Sequence, residues 1–568
     1  MPVLLRTLLE SRRALLIIIA LGLMLVLPSL ASGWFADDFG HLLLLSFPDL
    51  LAQPDKPSLF HLFSFIDDNL LKRQQQYAFS LIPWWTGEQF KVNFFRPLSE
   101  LSHYLDHLLF PRTAWLMHLH SLLWYALLLL LLAFFYRRLF AEQAIAWLAL
   151  LLFAVDSTHG FTVAWIANRN AVIAAVFLVA AVLLFIRARD NRSDLWLWAS
   201  AACVAASLLA AELGMTVMVF LLAWLIFMDK QAGWQKYFSL LPSALVFVAW
   251  LAFYRYFDFG ASGNAAYYID PLSQPGLFLQ ELPMKFFTAV AMQFNLLPIH
   301  LTDRFHFTVA VIGALIYLAW LVWAVYLKNR LLNFLLLAFS LTLIPVCTSL
   351  VQERNLLMAG IAAAAMLAFL LDHLWQMYRQ QLWQRSTNLL AILLVTFHIG
   401  FSAVFMLPVS YAPAVLGKNS IVTAHAMLDI WQHEAVISLG VPFFDAAYFA
   451  AIRKTHDLPL PERFWNLVTR LDGLSVRRDE NSLTLANAKG LFHSEDFLLR
   501  DFARDPMSAG QIIDINGAKI HILAVNDLGM ATRIKVRPDS AYADARLVYW
   551  QDGQFHTLEL EAGETWYF

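Results

Sequence analysis

Apolar residues along the chain gather into runs close to bilayer length, separated by short polar breaks. The first run starts at Ala14, just after Arg6, Arg12 and Arg13. Others fall at roughly 115–136, 139–155, 170–186, 195–211, 214–228, 236–254, 305–327, 331–349, 355–372 and 387–407. A helix crosses a bilayer core with about 20 apolar residues, so the pattern predicts about eleven spans, several of them short. Basic breaks at Arg137-Arg138, Arg187 to Arg192, Lys230 to Lys236, Lys328 to Arg330 and Arg379 to Arg385 then share one side with the N-terminus. That side is expected to be cytoplasmic. Ser29-Leu30-Ala31 has the small residues of a signal-peptidase site, but the later spans favour an uncleaved anchor.

Residues 284–302 are also apolar enough to cross, with Phe286, Phe287, Phe294 and Leu296. A crossing there would put Lys328 to Arg330 and later basic breaks on the opposite side. The expectation is therefore an interfacial or re-entrant helix interrupted at Pro298. Loop 33–114 carries aromatic patches, Leu59 to Phe65 and Phe79 to Trp85, expected to be helices lying in the headgroup layer.

From about Ser410 the pattern becomes that of a water-soluble domain. Alternating runs at Ser482 to Leu485, Ile520 to Val525 and Arg533 to Val536 predict strands. Asn516-Gly517 and Asp552-Gly553 are hairpin signals. The fold class expected is a polytopic α-helical membrane protein with a C-terminal extracytoplasmic α+β, β-rich domain. The boundaries are 1–409 for the membrane domain and 410–568 for the soluble one.

Composition narrows the function. Of 568 residues, 60% are hydrophobic and 14% charged, with a formal net charge of −2 and a mean hydropathy of +0.59. Soluble proteins carry about 25% charged residues, so a soluble enzyme is excluded, and so are disordered and nucleic-acid-coating chains. The only cysteines, Cys203 and Cys347, lie in apolar runs and form no metal-ligand spacing. No nucleotide-binding loop, zinc-protease motif or nucleophile elbow is present.

Chemistry must then come from polar groups beside the membrane, where they are costly. Asp37 and Asp38 follow the first span within Ala36-Asp37-Asp38-Phe39-Gly40-His41. A carboxylate there could accept a proton from an attacking hydroxyl; equally, the pair could simply end a helix. Arg96, in Asn93-Phe94-Phe95-Arg96-Pro97-Leu98, could grip a phosphate, snorkel, or pair with Asp106. Asp156-Ser157-Thr158-His159 leads to Trp165-Ile166-Ala167-Asn168-Arg169. Glu212 opens a tight turn with Gly214, and Glu353-Arg354 stands before a late span, where the two charges could neutralise each other. All map to the outer boundary under the topology above, which suits a site that needs a base and phosphate-binding cations.

At these residues the chain resembles a GT-C glycosyltransferase, the multi-spanning class that uses polyprenyl-phosphate sugars. It is most similar to the membrane part of the transmembrane-and-TPR-containing protein O-mannosyltransferases. The resemblance covers roughly 14–372. It comprises the Asp-Asp pair, Phe95-Arg96-Pro97-Leu98, His118-Leu119, Leu152-Phe153-Ala154-Val155 through Ala164 to Arg169, Glu212-x-Gly214 and Glu353-Arg354. The family's His-Pro-x-His-x-Glu stretch is Asp156, Ser157, His159 and Phe161 here, and the Lys before the glutamate is Ala211. The Tyr and Pro after Glu-Arg are Leu357 and Ala359, and the TPR array is missing.

The resemblance implies a single displacement at the anomeric carbon. Asp37 would be the general base, and Asp38 a backup or an acceptor-orienting group. Arg354, Arg169 and Arg96 would hold the donor phosphate, with Glu212, His159 and Glu353 as acceptor-side or structural support. One carboxylate opposite a phosphate leaving group suits inversion. No cofactor is required, although Asp37 and Asp38 could recruit a divalent metal. The partners implied are a polyprenyl-phosphate sugar, an acceptor hydroxyl on a glycan, lipid or protein, and the bilayer, with no nucleic acid. A bacterial inner membrane is the expected location. A transporter or flippase, and a noncatalytic scaffold, are the competing classes; inverted repeats would mark the former, and tolerance of Asp37 loss the latter.

Overall fold

The computed structural model describes all residues except 1–7, 48–60, 67–68, 266, 295–301, 383, 427–434, 494–495 and 497. The chain forms two compact units. One comprises Met1–Trp34, Phe95–Phe259 and Asp270–Val415; the other comprises Phe35–Phe94, Gly260–Ile269 and Leu416–Phe568.

The protein is a polytopic helical membrane protein. Among the described residues, seven helices are long and apolar enough to cross a membrane: Ala14–Ala31, Ala114–Leu139, Ile166–Asn191, Trp234–Tyr256, His306–Leu327, Leu357–Arg379 and Arg385–Ala426. Gln143–Ala154 and Ser157–Ala164 make one more if the pair, bent by 47°, is a single span. Shorter apolar helices at Asp194–Ala210, Glu212–Phe227 and Arg330–Val346 occupy the remaining expected positions. Pro275–Gln293 forms a separate helix packed on Thr302–Leu327; the interruption expected at Pro298 lies outside the described residues.

Leu357–Arg379 lies deep in this unit, packed on Gln143–Ala154 and Arg330–Val346. Its alanine-rich face, Ala359 and Ala362 to Ala365, is buried, and small residues let neighbouring helices approach closely. Outer positions such as Leu123, Phe134, Leu315 and Val325 stay exposed, as side chains meeting lipid would. The 47° bend has a local cause. Asp156 leaves the helical path and its Oδ1 accepts from the Thr158 amide at 3.0 Å, starting a new turn.

The second unit is β-rich and drawn from three stretches of chain. Its largest sheet is antiparallel, in the order Thr565–Tyr567, Ser475–Asp479, Ser482–Ala486, Ala531–Pro538, Ala518–Val525, Ile512–Asp514. Both hairpin signals sit at turns, with φ of +57° at Asn516 and +52° at Asp552. A second sheet runs Gln554–Thr557, Arg546–Gln551, Ala435–Leu439, Arg463–Val468. Its last two strands are parallel, joined by the helix Phe443–Thr455. Ala435–Leu439 is buried at every position, as parallel strands covered on both faces are. Its short apolar run carries no alternation for a sequence reading to detect.

The headgroup-layer reading of the two aromatic patches is corrected over their described residues; Leu59 and Phe60 lie outside those. Ser64–Ile66 is a strand, paired with Lys91–Asn93, and residues 79–85 form turns rather than a helix. Trp84 donates to the Leu467 carbonyl at 2.9 Å. Trp85 stacks on Phe492 with centroids 4.2 Å apart. These aromatics are core, because a small β domain fills its interior most effectively with large rings.

Candidate functional site

In the second unit, Asp37 and Asp38 open the helix Asp37–Ser46. Carboxylates are favoured there by the unpaired amides and the helix dipole. The chain enters through Ala36 at φ +47° and ψ −120°. This left-handed conformation costs an alanine about 1–3 kcal/mol, and such strain recurs at functional sites. The two acids then part company. Asp38 is buried, 3% exposed, and its Oδ2 accepts from the Phe35 amide at 3.0 Å, so it closes the turn. Asp37 is only partly buried and its Oδ1 accepts from the Tyr448 hydroxyl at 2.9 Å. Tyr448 has no signal in the local sequence; only the packing of Phe443–Thr455 on Asp37–Ser46 brings it there.

In the helical unit the arginines differ in what they hold. Arg96 precedes Pro97, the first residue of Pro97–Leu109. Its Nε and Nη2 donate to Glu212 Oε2 at 2.9 and 2.6 Å; its partner is thus Glu212, and not Asp106. Tyr254 donates to the other Glu212 oxygen at 3.2 Å. The tight turn after Glu212 needs a glycine: a Cβ on Gly214 would stand 2.3 Å from the Ser207 carbonyl oxygen.

Arg169 is wholly buried. It pairs with Asp106 at 2.5 Å, and donates to Ser121 Oγ at 2.8 Å, Ser102 Oγ at 3.1 Å and the Met117 carbonyl at 2.6 Å. Its donors are directed to protein acceptors. An arginine inside an apolar bundle needs such partners to offset its desolvation.

Arg354 stands otherwise. Its guanidinium lies 4.9 Å from the Trp165 ring centroid, and its Nε has no hydrogen-bond partner among the described residues. Among those residues no ion pair joins it to Glu353. The backbone of its turn is fixed by Thr162, which donates to the Arg354 carbonyl at 3.2 Å. Trp165 went unassigned in the sequence reading, although it belongs to the longest motif.

His159 is buried; its Nδ1 meets the Phe153 carbonyl at 3.1 Å and its Nε2 lies 3.8 Å from Asp156 Oδ2. Asp156 Oδ2 also accepts from Gln293 Nε2 at 3.2 Å. A Cβ on Gly360 would come within 2.5 Å of His159 Nε2, so glycine lets the span Leu357–Arg379 pass this ring. Among the described residues no group of three or more His, Cys, Asp or Glu side chains is arranged to hold a metal.

Glu353, in the turn before that span, has its carboxyl pushed up to about 7, first by burial and then by the charge of Asp156. Below pH 4.5, its ordinary value, the folded and unfolded chains both hold the proton and burial costs nothing. As pH rises towards about 7 the unfolded chain releases its proton while the folded one keeps it, so stability falls, and it levels off above. Glu353→Gln should therefore be more heat-stable than the parent at pH 8, by up to about 3 kcal/mol, and match it near pH 4.5. Melting the two proteins in detergent across that range checks this; a difference independent of pH would contradict it.

No family model matches the chain, and no curated protein matches it. Among solved structures it is similar to archaeal oligosaccharyltransferase AglB from Archaeoglobus fulgidus, in complex with an inhibitory peptide and a dolichol-phosphate. That match has a TM-score of 0.44 at 11% identity, covering 80% of this chain and 65% of that one. A second structure of the Archaeoglobus fulgidus oligosaccharyltransferase, tethered to an acceptor peptide, aligns with a TM-score of 0.42 at 11% identity, covering 80% and 64%. The chain thus spans just under two thirds of that enzyme's length. It is also similar to ArnT from Cupriavidus metallidurans bound to undecaprenyl phosphate, with a TM-score of 0.39 at 11% identity, covering 94% of this chain and 99% of that one.

Proposed function

We propose that the protein is a membrane glycosyltransferase of the GT-C type. It moves a sugar from a polyprenyl-phosphate donor to an acceptor hydroxyl on the extracytoplasmic face, with inversion. The observation that carries this reading is Asp37, a partly exposed carboxylate at a helix N-terminus whose neighbour Asp38 is buried and bound to backbone. The acceptor oxygen attacks the anomeric carbon, the bond from that carbon to the phosphate oxygen breaks, and Asp37 takes the hydroxyl proton. Arg354 meets the charge growing on the departing phosphate through its guanidinium, whose Nε is buried and has no hydrogen-bond partner among the described residues. Arg96 is poised by Glu212, and Arg169 braces the bundle through Asp106. Arginines can balance the phosphate charge, so the scheme needs no metal or other cofactor. The acceptor belongs to a glycan, a lipid or a protein.

The test is release of undecaprenyl phosphate from synthetic undecaprenyl-phosphate pentoses and hexoses by the full chain in nanodiscs. Glycan, lipid A and peptide hydroxyls serve in turn as acceptors. Turnover of at least one donor is expected; no release across the panel would remove the reading.

The proposed setting is a bacterial inner membrane, N-terminus inside and C-terminal stretch outside, as the basic loops favour. Both Ala232 and Glu561 are exposed. A cysteine at Glu561 should react with an impermeant maleimide on spheroplasts, and one at Ala232 only after lysis. The opposite pattern would invert the topology.

A further inference from the structure

Asp37 is met by a side chain 411 residues further along the chain. The helix that carries it, Phe443–Thr455, is firmly held within the second unit. Phe449 stacks on Phe464 of the adjacent strand, centroids 4.0 Å apart and planes 12° from parallel. Asp445 accepts from Ser420 at 2.7 Å. Near the other end, Arg453 donates to the carbonyls of Ala424 and Pro459, both at 2.6 Å. One turn after Asp445, Tyr448 reaches Asp37 Oδ1 at 2.9 Å. The Asp37 side is equally constrained, by the Ala36 turn and by the bond from the Phe35 amide to Asp38. A hydroxyl–carboxylate hydrogen bond thus joins these two packed helices.

We propose that Tyr448 is a positioning residue for Asp37, fixing the orientation of its carboxylate and favouring the ionised form that can accept a proton. The inference rests on the reading of Asp37 as base, and it gives the C-terminal stretch a task in the chemistry: it tunes that base. A hydrogen bond to the charged form of an acid favours that form. The phenol is suited to this, because burial and then the Asp37 charge push its own ionisation well above the ordinary tyrosine range. It stays a neutral donor throughout the working pH range. The other titratable groups on the elements packed here are Asp38 and His41 on the Asp37 helix, Asp445, Arg453 and Lys454 on the Tyr448 helix, and Tyr267 and Tyr268 of the segment 260–269. The charge of Asp38 opposes ionisation of Asp37, which makes a donor at Asp37 more consequential.

The experiment reads the ionisation of Asp37 directly. The full chain in nanodiscs is treated with dicyclohexylcarbodiimide, which attacks protonated carboxyls, and Asp37 modification is followed against pH by peptide mass spectrometry. Tyr448→Phe keeps the ring and removes the donor. Its half-modification pH is expected to rise by about one to two units, and the acid limb of donor turnover should rise with it, at unchanged donor KM. Difluorotyrosine at position 448, a stronger donor of nearly the same shape, should move the curve down, which keeps the test decisive if Tyr448→Phe folds poorly. A bond that only supports the fold would lower thermal stability and leave these curves in place. Coincident curves for all three proteins would overturn the proposal, even with Asp37→Asn inactive. Full turnover by Asp37→Asn would instead remove the base assignment, whatever the labelling shows.

Discussion

Asp37→Asn is expected to lose two to four decades of transfer rate while still binding donor. Asn keeps the size of Asp and can still accept the Tyr448 hydroxyl bond, but it cannot take a proton at neutral pH. General-base catalysis is typically worth about 10²–10⁴ in rate, roughly 3–5 kcal/mol of barrier. Turnover of a synthetic undecaprenyl-phosphate sugar and calorimetric binding of undecaprenyl phosphate separate the two effects. Asp38→Asn should act differently. Its carboxylate is buried and bound to the Phe35 amide, so the change should loosen the turn and lower stability more than it slows chemistry. Normal turnover by a well-folded Asp37→Asn would sink the assignment; a larger kinetic loss at Asp38 would move the base one residue along.

Arg169→Ala and Arg354→Ala are expected to fail in opposite ways. Removing Arg169 takes the permanent cation from Asp106, only 1% exposed, and leaves it His120, whose Nδ1 lies 2.5 Å from its other oxygen. Breaking a buried pair from one side costs about 3–5 kcal/mol, a large fraction of the usual stability. The variant should not accumulate as a monodisperse protein, and Asp106→Asn should partly rescue it. Arg354 has no ion pair among the described residues, so Arg354→Ala should fold normally. It should lose about 10²–10³ in kcat/KM, the usual loss for one charge-stabilising donor, and bind undecaprenyl phosphate more weakly. Arg354→Lys should recover part of both, since it restores a charge but not the planar fork that lies on Trp165. Size-exclusion profiles and donor kinetics check the contrast. Full activity in a folded Arg354→Ala protein would remove it from the phosphate site.

The membrane class, the positions of the long apolar helices and the two hairpin turns were legible in the sequence alone. Those features are written locally: a bilayer demands a minimum apolar run, and Asn-Gly or Asp-Gly selects a left-handed turn. The adjacent acids Asp37 and Asp38, and the arginines near helix ends, were also visible as residues. What each one touches was decided only by tertiary structure. The same residue type serves as an ion-pair partner at Arg96, a buried brace at Arg169 and, at Arg354, a guanidinium on an indole ring with no ion pair among the described residues, and nothing adjacent in sequence separates these fates. Arg96 meets Glu212 across 116 residues, and Tyr448 meets Asp37 across 411. The aromatic patch at 79–85 was misread for the same reason. Apolar rings gain similar free energy from lipid and from a protein core, so their pattern alone does not say which one receives them. Helix and strand packing does, by placing Trp85 against Phe492 and leaving Leu123 and Phe134 on the outside.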